Sequence, residues 1–216
     1  MTPTILPLGD NALLVRFGST LSDEANGAAI GFARRLRAEM PLGVSEIDPN
    51  LVSVLLRYDP EQIDFDRLAG EVRLLLSVGP DAVATKNGRH VVPVAFGGEP
   101  GPDLDEVAAT LGMTVKAFIK AHNAKPLRLL TTGFAPGFVY CGFHPEKLRL
   151  PRRTAVRSRV AAGAILFAAG QTAITATPIP TGWHVIGRTD FRNFDPQAKP
   201  PTRLHEGDEV VFEAIT

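Results

Sequence analysis

The most constraining feature of the sequence is the succession of short apolar runs and Gly/Pro turns from Leu129 to the end. The 216 residues include 20 Gly and 18 Pro, without a collagen-like period. Short strands fit between such closely spaced turns, whereas long helices do not. The pattern predicts a closed or nearly closed β-barrel. The best strand candidates in this stretch are Ala164–Ala169, Thr172–Thr177, His184–Thr189 and Glu209–Glu213, and Val91–Phe96 predicts an earlier strand.

The N-terminal part has a different pattern, in which strands alternate with amphipathic helices. Ala12–Phe17 and Leu51–Tyr58 are short apolar runs beside turn residues and predict strands. Apolar residues at helical spacing follow Ser22 and again follow Asp64, two residue types that favour the N-cap position. The β-β-α-β-α order predicts a small ferredoxin-like α/β domain with both helices on one face.

We therefore expect an α+β protein of two domains, an N-terminal domain over 1–86 and a β-barrel domain over 87–216. Breakers at Gly79-Pro80 and Asn87-Gly88 mark Val78–Arg89 as the connector.

A pair of short helices, Leu104–Leu111 and Val115–His122, is predicted at about 103–123, inside the second domain. Asp103 with Glu106 forms an acidic variant of a capping box, and Thr114 is placed to cap the second helix. This pair also has the spacing of a helix-turn-helix, with Lys116, Lys120 and His122 as possible DNA contacts.

Charge and cysteine content exclude several classes of protein. Lys+Arg and Asp+Glu are both 23, so the net charge is zero, which disfavours a uniformly basic nucleic-acid surface. The single Cys141 excludes an intrachain disulfide and a cysteine-based zinc site, and it fits a reducing compartment. The N-terminus lacks signal-peptide features, and no apolar run approaches about 20 residues. We expect a cytoplasmic protein that binds neither membrane nor nucleic acid.

The densest unusual stretch is TTGFAPGFVYCG at 131–142, which alternates glycines with large rings. Glycines let a backbone approach a ligand closely, and aromatic rings form apolar pocket walls. The stretch is equally compatible with a Gly/Pro turn whose rings lie in the core. Pro180-Thr181-Gly182-Trp183, which holds the one Trp, is a second candidate for a pocket wall.

A basic segment lies between these two stretches. Arginine side chains suit carboxylates and phosphates, and Arg152 follows Pro151 on a restricted backbone, so it is the best candidate for a specific anion contact. The other basic residues fit a solvated surface, and they are Lys147, Arg149, Arg153, Arg157 and Arg159.

Together these segments resemble the KipI/5-oxoprolinase B-type (PxpB) family, also labelled allophanate hydrolase subunit 1 or carboxyltransferase subdomain C/D. The shared motifs are G-F-A-P-G-F-V-Y at 133–140, P-R-R at 151–153, Ala162-Gly163, Gln171-Thr172, Pro180-x-Gly182-Trp183, Ile186-Gly187-Arg188-Thr189 and Glu206-Gly207-Asp208. The resemblance extends N-terminally through Gly9-Asp10-x-Ala12-Leu13, Tyr58-Asp59-Pro60 and 97–104, and so covers nearly the whole chain.

The resemblance implies a cyclophilin-like barrel and one subunit of a heteromeric hydrolase. That assembly, with a C-type partner (KipA/PxpC-like) and a lactam-opening A-type partner, converts 5-oxoproline to glutamate with ATP. The resemblance also leaves open a non-catalytic alternative, a KipI-like regulator that inhibits a sensor histidine kinase.

Motifs that are missing from the sequence agree with a role as one subunit of an assembly. The chain lacks a G-x-x-x-x-G-K-[ST] phosphate loop, an A-M-K-M biotinylation site and a G-x-S-x-G elbow, so ATP would be shared with or held by partner subunits. We expect neither metal nor biotin.

The predicted site combines the two stretches and the basic segment. Catalytic roles are assigned to Tyr140, Arg152 and His122, with His122 at a helix end that favours imidazolium and anion binding. Cys141 as a nucleophile, with His122 or His144 as its base, is an alternative. Substrate contacts are assigned to Gly133, Phe134, Pro136, Gly137, Phe138, Gln171, Gly182, Trp183 and Arg188.

The chain also departs from the family pattern. Residues 171–176 read Q-T-A-I-T-A, where the family pattern is commonly Q-T-G-x-Y-P. Residues 180–183 read P-T-G-W, where the family pattern is commonly P-G-G-W. These changes indicate a divergent paralogue whose substrate can differ from 5-oxoproline.

Overall fold

The structure, a computed structural model, describes residues 2–78 and 87–215, and the chain divides between Lys86 and Asn87 into two units. Gly79-Pro80 of the expected connector lies outside the described residues. Arg89, its expected last residue, already belongs to a strand.

The first unit is a four-stranded antiparallel sheet with two helices. Its order along the sheet is β1-β2-β4-β3. The elements are β1 (Thr4–Pro7), β2 (Ala12–Arg16), α1 (Asp23–Ala38), β3 (Val44–Pro49), β4 (Ser53–Tyr58) and α2 (Phe65–Ser77). Strands β1 and β3 were not predicted individually, because prolines and charged residues interrupt their apolar patterns.

Both helices start where the sequence predicts. The Ser22 hydroxyl accepts a hydrogen bond from the Ala25 amide, and the Asp64 carboxylate accepts one from Arg67. Buried side chains from both helices and from three strands form one core, so the helices share a face of the sheet. The predicted α/β layering is confirmed, but the predicted β-β-α-β-α order is wrong by one strand, since the observed order is β-β-α-β-β-α.

The second unit is built on a closed seven-stranded barrel, which confirms the barrel prediction. The strand order is β10-β7-β6-β13-β5-β12-β9, and β8 pairs with β11 in a separate ribbon. The elements are β5 (Arg89–Phe96), α3 (Leu104–Thr110), α4 (Val115–His122), β6 (Leu127–Thr132), β7 (Val139–Gly142), β8 (Arg157–Val160), β9 (Ala164–Ala168), β10 (Gln171–Ile174), β11 (Ile179–Thr181), β12 (His184–Arg188) and β13 (Glu209–Ile215).

Alternation along the barrel strands separates two apolar clusters. Val139 and Cys141 of β7 join the inner cluster, to which all seven strands contribute. Phe138 and Tyr140 instead belong to an outer cluster, with Trp183. The candidate aromatic residues therefore lie on the outer face of the barrel wall, where successive strand residues alternate between the two faces.

The helix pair forms as predicted but is capped differently at its start. Thr114 accepts a hydrogen bond from Ala117 and caps α4. Asp103, in contrast, makes no side-chain cap bond, so the predicted capping box is wrong. Its carboxylate is held by other segments instead. The apolar residues of both helices, including the fully buried Phe118, pack into the inner cluster of the barrel.

Candidate functional site

The loop between β6 and β7 carries the G-F-A-P-G-F motif and positions its rings by an unusual backbone. Phe134 has φ 73°, although it is not a glycine, and its side chain is 69% exposed. Gly137 has φ 68°, and a Cβ there would lie 2.5 Å from Cβ of Phe194 and 2.7 Å from that of Ala176. Only glycine fits this position. Pro136 is exposed in the same loop.

Four rings form a chain of contacts on the outer barrel face, which we name the aromatic row: Phe134, Phe138, Tyr140 and Trp183. Ring centroids are 5.5 Å apart for Phe134 and Phe138, 4.8 Å for Phe138 and Tyr140, and 5.9 Å for Tyr140 and Trp183. Arg152 ends the row, with its Cζ 5.7 Å from the centre of the Trp183 ring. The structure thus brings together residues that lie in separate sequence motifs.

Small residues on the neighbouring strands let the rings of the row contact one another along the outer face of the barrel. Tyr140 is opposite Ala173 of β10, and Gln171 of β10 is opposite Ala168 of β9. Both alanines belong to the outer cluster, and they fill little of the space between β7 and the start of β12. Ala173, where glycine is common in the family pattern, is still small enough to lie beside the ring of Tyr140.

The electrostatics of the row favour anion binding with a protonated phenol. Burial raises the pKa of Tyr140, and the nearby charge of Arg152 offsets this only in part. Tyr140 therefore keeps its proton at neutral pH and can donate a hydrogen bond. The exposed guanidinium of Arg152 contacts Trp183 but pairs with no carboxylate among the described residues. A cation over an aromatic face keeps its outer edge available for an anion.

Gln171 contributes a buried amide beside the row. Its side chain is 6% exposed, and its Nε2 has no hydrogen-bond partner within the described part of the chain. A buried N–H without a partner is costly, so such groups often mark a binding role.

The backbone around Arg152 is fixed from both sides. The Arg153 amide donates to the Gly182 carbonyl at 2.7 Å, and His184 Nε2 is 3.2 Å from the Pro151 carbonyl. Thr181, which replaces a glycine of the family pattern, accepts a hydrogen bond from the Trp183 amide at 3.0 Å. Thr181 thus orders the turn that positions Trp183.

Two of the six basic residues in the segment have a structural role. The buried carboxylate of Asp103 accepts hydrogen bonds from Arg153 at 2.8 Å, from Arg157 and from the Val185 amide at 2.8 Å. Burial alone would raise the pKa of Asp103, but the bonds from Arg157 and Val185 and the two arginine charges lower it. Asp103 therefore stays ionised and joins three distant segments.

His122 does not belong to the aromatic row, and the expectation of an imidazolium at this position is wrong. It is 1% exposed inside the barrel, and burial lowers its pKa to about 4. Its Nε2 and that of His144 each lie 2.8 Å from the Thr172 hydroxyl, while its Nδ1 donates to Asn123. Thr172 therefore donates to His122 and accepts from His144. This buried chain also makes His122 unavailable to DNA.

Cys141 is on the inner face of the same wall. It is fully buried, and burial raises the pKa of its thiol to about 12. Because the thiolate is the reactive form, the alternative of a Cys141 nucleophile is wrong.

Arg188 lies at the other end of β12 and is separated from Arg152. At about 3.3 Å per residue, the five-residue strand places its first and last Cα atoms about 13 Å apart. Arg188 borders a cleft of about 410 Å³ that sequence reasoning missed. The lining residues are Ala162, Gly163, Thr175, Ala176, Arg188, Thr189, Asp190, Phe191, Arg192 and Phe194.

The cleft is assembled from three loops that meet only in the folded barrel. The run Phe191-Arg192-Asn193-Phe194, with two rings and a cation, was the available sequence signal. Thr175, which replaces the tyrosine of the family pattern, instead bonds the Ala164 amide at 2.9 Å through its hydroxyl.

The described residues, 2–78 and 87–215, lack two kinds of feature. They contain no group of three or more His, Cys, Asp or Glu side chains that could hold a metal ion. None of their helices is long and apolar enough to cross a membrane.

Comparison with known proteins gives consistent matches over almost the whole chain. Residues 3–204 match the family described as "Carboxyltransferase domain, subdomain C and D". The chain is 31% identical to the B subunit of 5-oxoprolinase from Bacillus subtilis (strain 168), over 97% of this chain and 91% of that protein.

Solved structures agree with this match. The crystal structure of TTHA0988 is similar with a TM-score of 0.83 and 33% identity over 95% of this chain, which spans 40% of the TTHA0988 chain. Urea carboxylase of Kluyveromyces lactis has the same fold with a TM-score of 0.79 and 16% identity, over 99% of this chain and 22% of that one.

Proposed function

Because the chain belongs to the family of carboxyltransferase domains, subdomains C and D, we propose that it is the B-type component of a 5-oxoprolinase-like complex. In this proposal the complex hydrolyses a small lactam or amide with ATP. A C-type partner, homologous to KipA, completes the active site, and a lactam-opening A-type partner takes part. ATP binds at a site that is shared with or held by these partners.

The contact of Tyr140, Trp183 and Arg152 is the observation that carries the proposal. It combines a flat apolar surface, a proton donor and a cation within one short row. A small ring with a carbonyl and a carboxylate needs these three elements for stacking, for a hydrogen bond to the carbonyl and for charge pairing. Gln171, with its unpaired Nε2, supplies a second donor in this region.

The open side of the row supports the need for a partner. Phe134 is 69% exposed, and Arg152 is exposed as well. Charge interactions with a substrate are weak in such a water-exposed place and strengthen when water is excluded. A partner surface that covers the row would exclude that water.

The experiment is co-expression with a C-type partner, followed by an assay of ATP-dependent opening of 5-oxoproline with the A-type partner present. Tyr140→Phe and Arg152→Ala should each lower kcat/KM at least about tenfold, which is the effect of losing one hydrogen bond or ion contact worth about 1.4 kcal/mol. Arg149→Ala is the matched control, because Arg149 is exposed in the same segment and its guanidinium pairs only with Glu146 among the residues that the structure describes.

Two results would contradict the proposal. Failure of any complex to form, together with tight binding to a sensor histidine kinase, would favour the regulatory alternative. If a complex forms and turns over substrate, but both variants equal the parent, then the aromatic row is not the site.

A further inference from the structure

The cleft beside Arg188 has the dimensions and the walls of a small-molecule site. Its volume of about 410 Å³ lies within the range of about 300–1,000 Å³ that ligand pockets occupy. Phe191 and Phe194 provide aromatic walls, and Arg188 and Arg192 are the two cations at its border. A second cavity of about 280 Å³ is also lined by Arg188, together with Arg159.

Hydrogen bonds already hold these walls in place. The Gly163 amide donates to the Thr175 carbonyl, and the Thr189 amide donates to the Gly163 carbonyl, both at 2.8 Å. A Cβ at Gly163 would lie 2.2 Å from the Thr189 oxygen, so glycine is required for this close approach. Preorganised walls lower the ordering cost of binding.

The loop that carries both rings is fixed by one buried side chain. Asn193 is 1% exposed, donates to the Gly137 carbonyl at 2.8 Å and accepts hydrogen bonds from the Arg203 and Leu204 amides. Its neighbours Arg192 and Phe194 are therefore held at the cleft.

The guanidinium groups at the cleft are not engaged by the protein. The side chains of Arg188 and Arg192 form neither hydrogen bonds nor ion pairs with other described residues. Asp190 also borders the cleft but is not paired with either arginine. By contrast, Arg153 and Arg157 of the same unit are bound to Asp103. Two such cations at a rigid, partly aromatic concavity provide the chemistry that recognises an oxyanion.

We propose that this cleft binds a small organic oxyanion, a carboxylate or a phosphate, whose charge pairs with Arg188 and Arg192 and whose apolar part packs on Phe191 and Phe194. The site is separate from the aromatic row. It does not depend on the proposed function, because it rests on the cleft alone.

The experiment is titration calorimetry of the purified chain with three probes: 5-oxoproline, inorganic phosphate and 2-pyrrolidinone, which is the same lactam ring without the carboxylate. We expect saturable binding of one or both anions and none of 2-pyrrolidinone. Arg188→Gln and Arg192→Gln should each weaken that binding about 10-fold or more, since each removes a charge-assisted hydrogen bond to the anion. Raising the salt concentration should also weaken it.

Controls make the outcome decisive. Arg149→Gln removes an exposed arginine outside the cleft and should bind as the parent does. Preference for 5-oxoproline identifies a carboxylate site, and preference for phosphate identifies a phosphate site. Absence of binding by either anion, or equal affinity in the Arg188 and Arg192 variants, would overturn the proposal.

Discussion

The buried histidine pair predicts a steep loss of stability of the barrel unit in mild acid. Burial lowers the pKa of His122 to about 4. Burial, together with the charges of His122 and Lys125, lowers that of His144 to about 3. Both groups have a pKa of about 6.5 in an unfolded chain. The unfolded chain therefore binds more protons than the folded one below pH 6.5, and acid favours unfolding.

The size of the effect follows from these pKa values. At pH 5 the protonated form of an unfolded histidine exceeds the neutral form about 30-fold, while the folded histidine stays neutral. Each of the two sites therefore lowers the free energy of unfolding by about 2 kcal/mol. Together the pair should lower the free energy of unfolding by about 4 kcal/mol between pH 7 and pH 5. This is a large part of the 5–15 kcal/mol that a domain typically has. The loss begins near pH 6.5 and ends near the folded pKa values.

Trp183 makes the measurement specific, because it is the one Trp of the sequence and lies in the barrel unit. Urea unfolding followed by its fluorescence at pH 7, 6 and 5 gives the free energy at each pH. The double variant His122→Gln/His144→Gln is less stable at pH 7, but most of the pH dependence should be absent. His205→Gln, at an exposed side chain, is the control and should retain the parent's pH dependence. The reasoning would be refuted if the parent's free energy of unfolding changed by less than about 1 kcal/mol between pH 7 and pH 5. An unaltered pH dependence in the double variant would refute it as well.

Three further predictions concern the same unit. Asp103→Asn should lower the free energy of unfolding by about 2–4 kcal/mol, because its two arginine partners lose a buried charge; unchanged urea midpoints would contradict this. Gly137→Ala should lower the melting temperature clearly more than Gly170→Ala, because both residues have positive φ but only a Cβ at 137 would clash with neighbouring side chains. Equal decreases in melting temperature would show that backbone strain alone acts. Cys141 should resist a thiol reagent in the native protein and react on denaturation, whereas rapid labelling of the folded chain would show that the site opens.

Features that depend on local sequence were predictable. Ser22, Asp64 and Thr114 cap helices because an N-cap contact spans only three residues. The short apolar runs between turns became barrel strands for a similar reason, since strand patterns are visible within a few residues.

Features that depend on distant partners were not predictable. Asp103 has the spacing of a capping box, but arginines 50 and 54 residues away along the chain compete for its carboxylate. His122 lies at a helix end, where a charged imidazole is expected, but closure of the barrel buries it against Thr172, 50 residues later.

The candidate site was predictable in part. The motifs identified the rings of the aromatic row and Arg152, because those residues are unusual in type and spacing. They did not show that Arg188 lies at a separate cleft, because the position of that residue depends on strand length and register.

Strand β7 places Tyr140 and Cys141 on opposite sides of one barrel wall, a single peptide apart. Side chains alternate with a period of two, so shifting β7 by one residue against its neighbours would exchange these two environments. A phenol would enter the apolar interior, and a thiol would face outwards beside Trp183. The G-F-A-P-G-F loop that leads into β7 is therefore constrained in length, because a single insertion or deletion that the turn does not absorb would exchange the environments of both side chains.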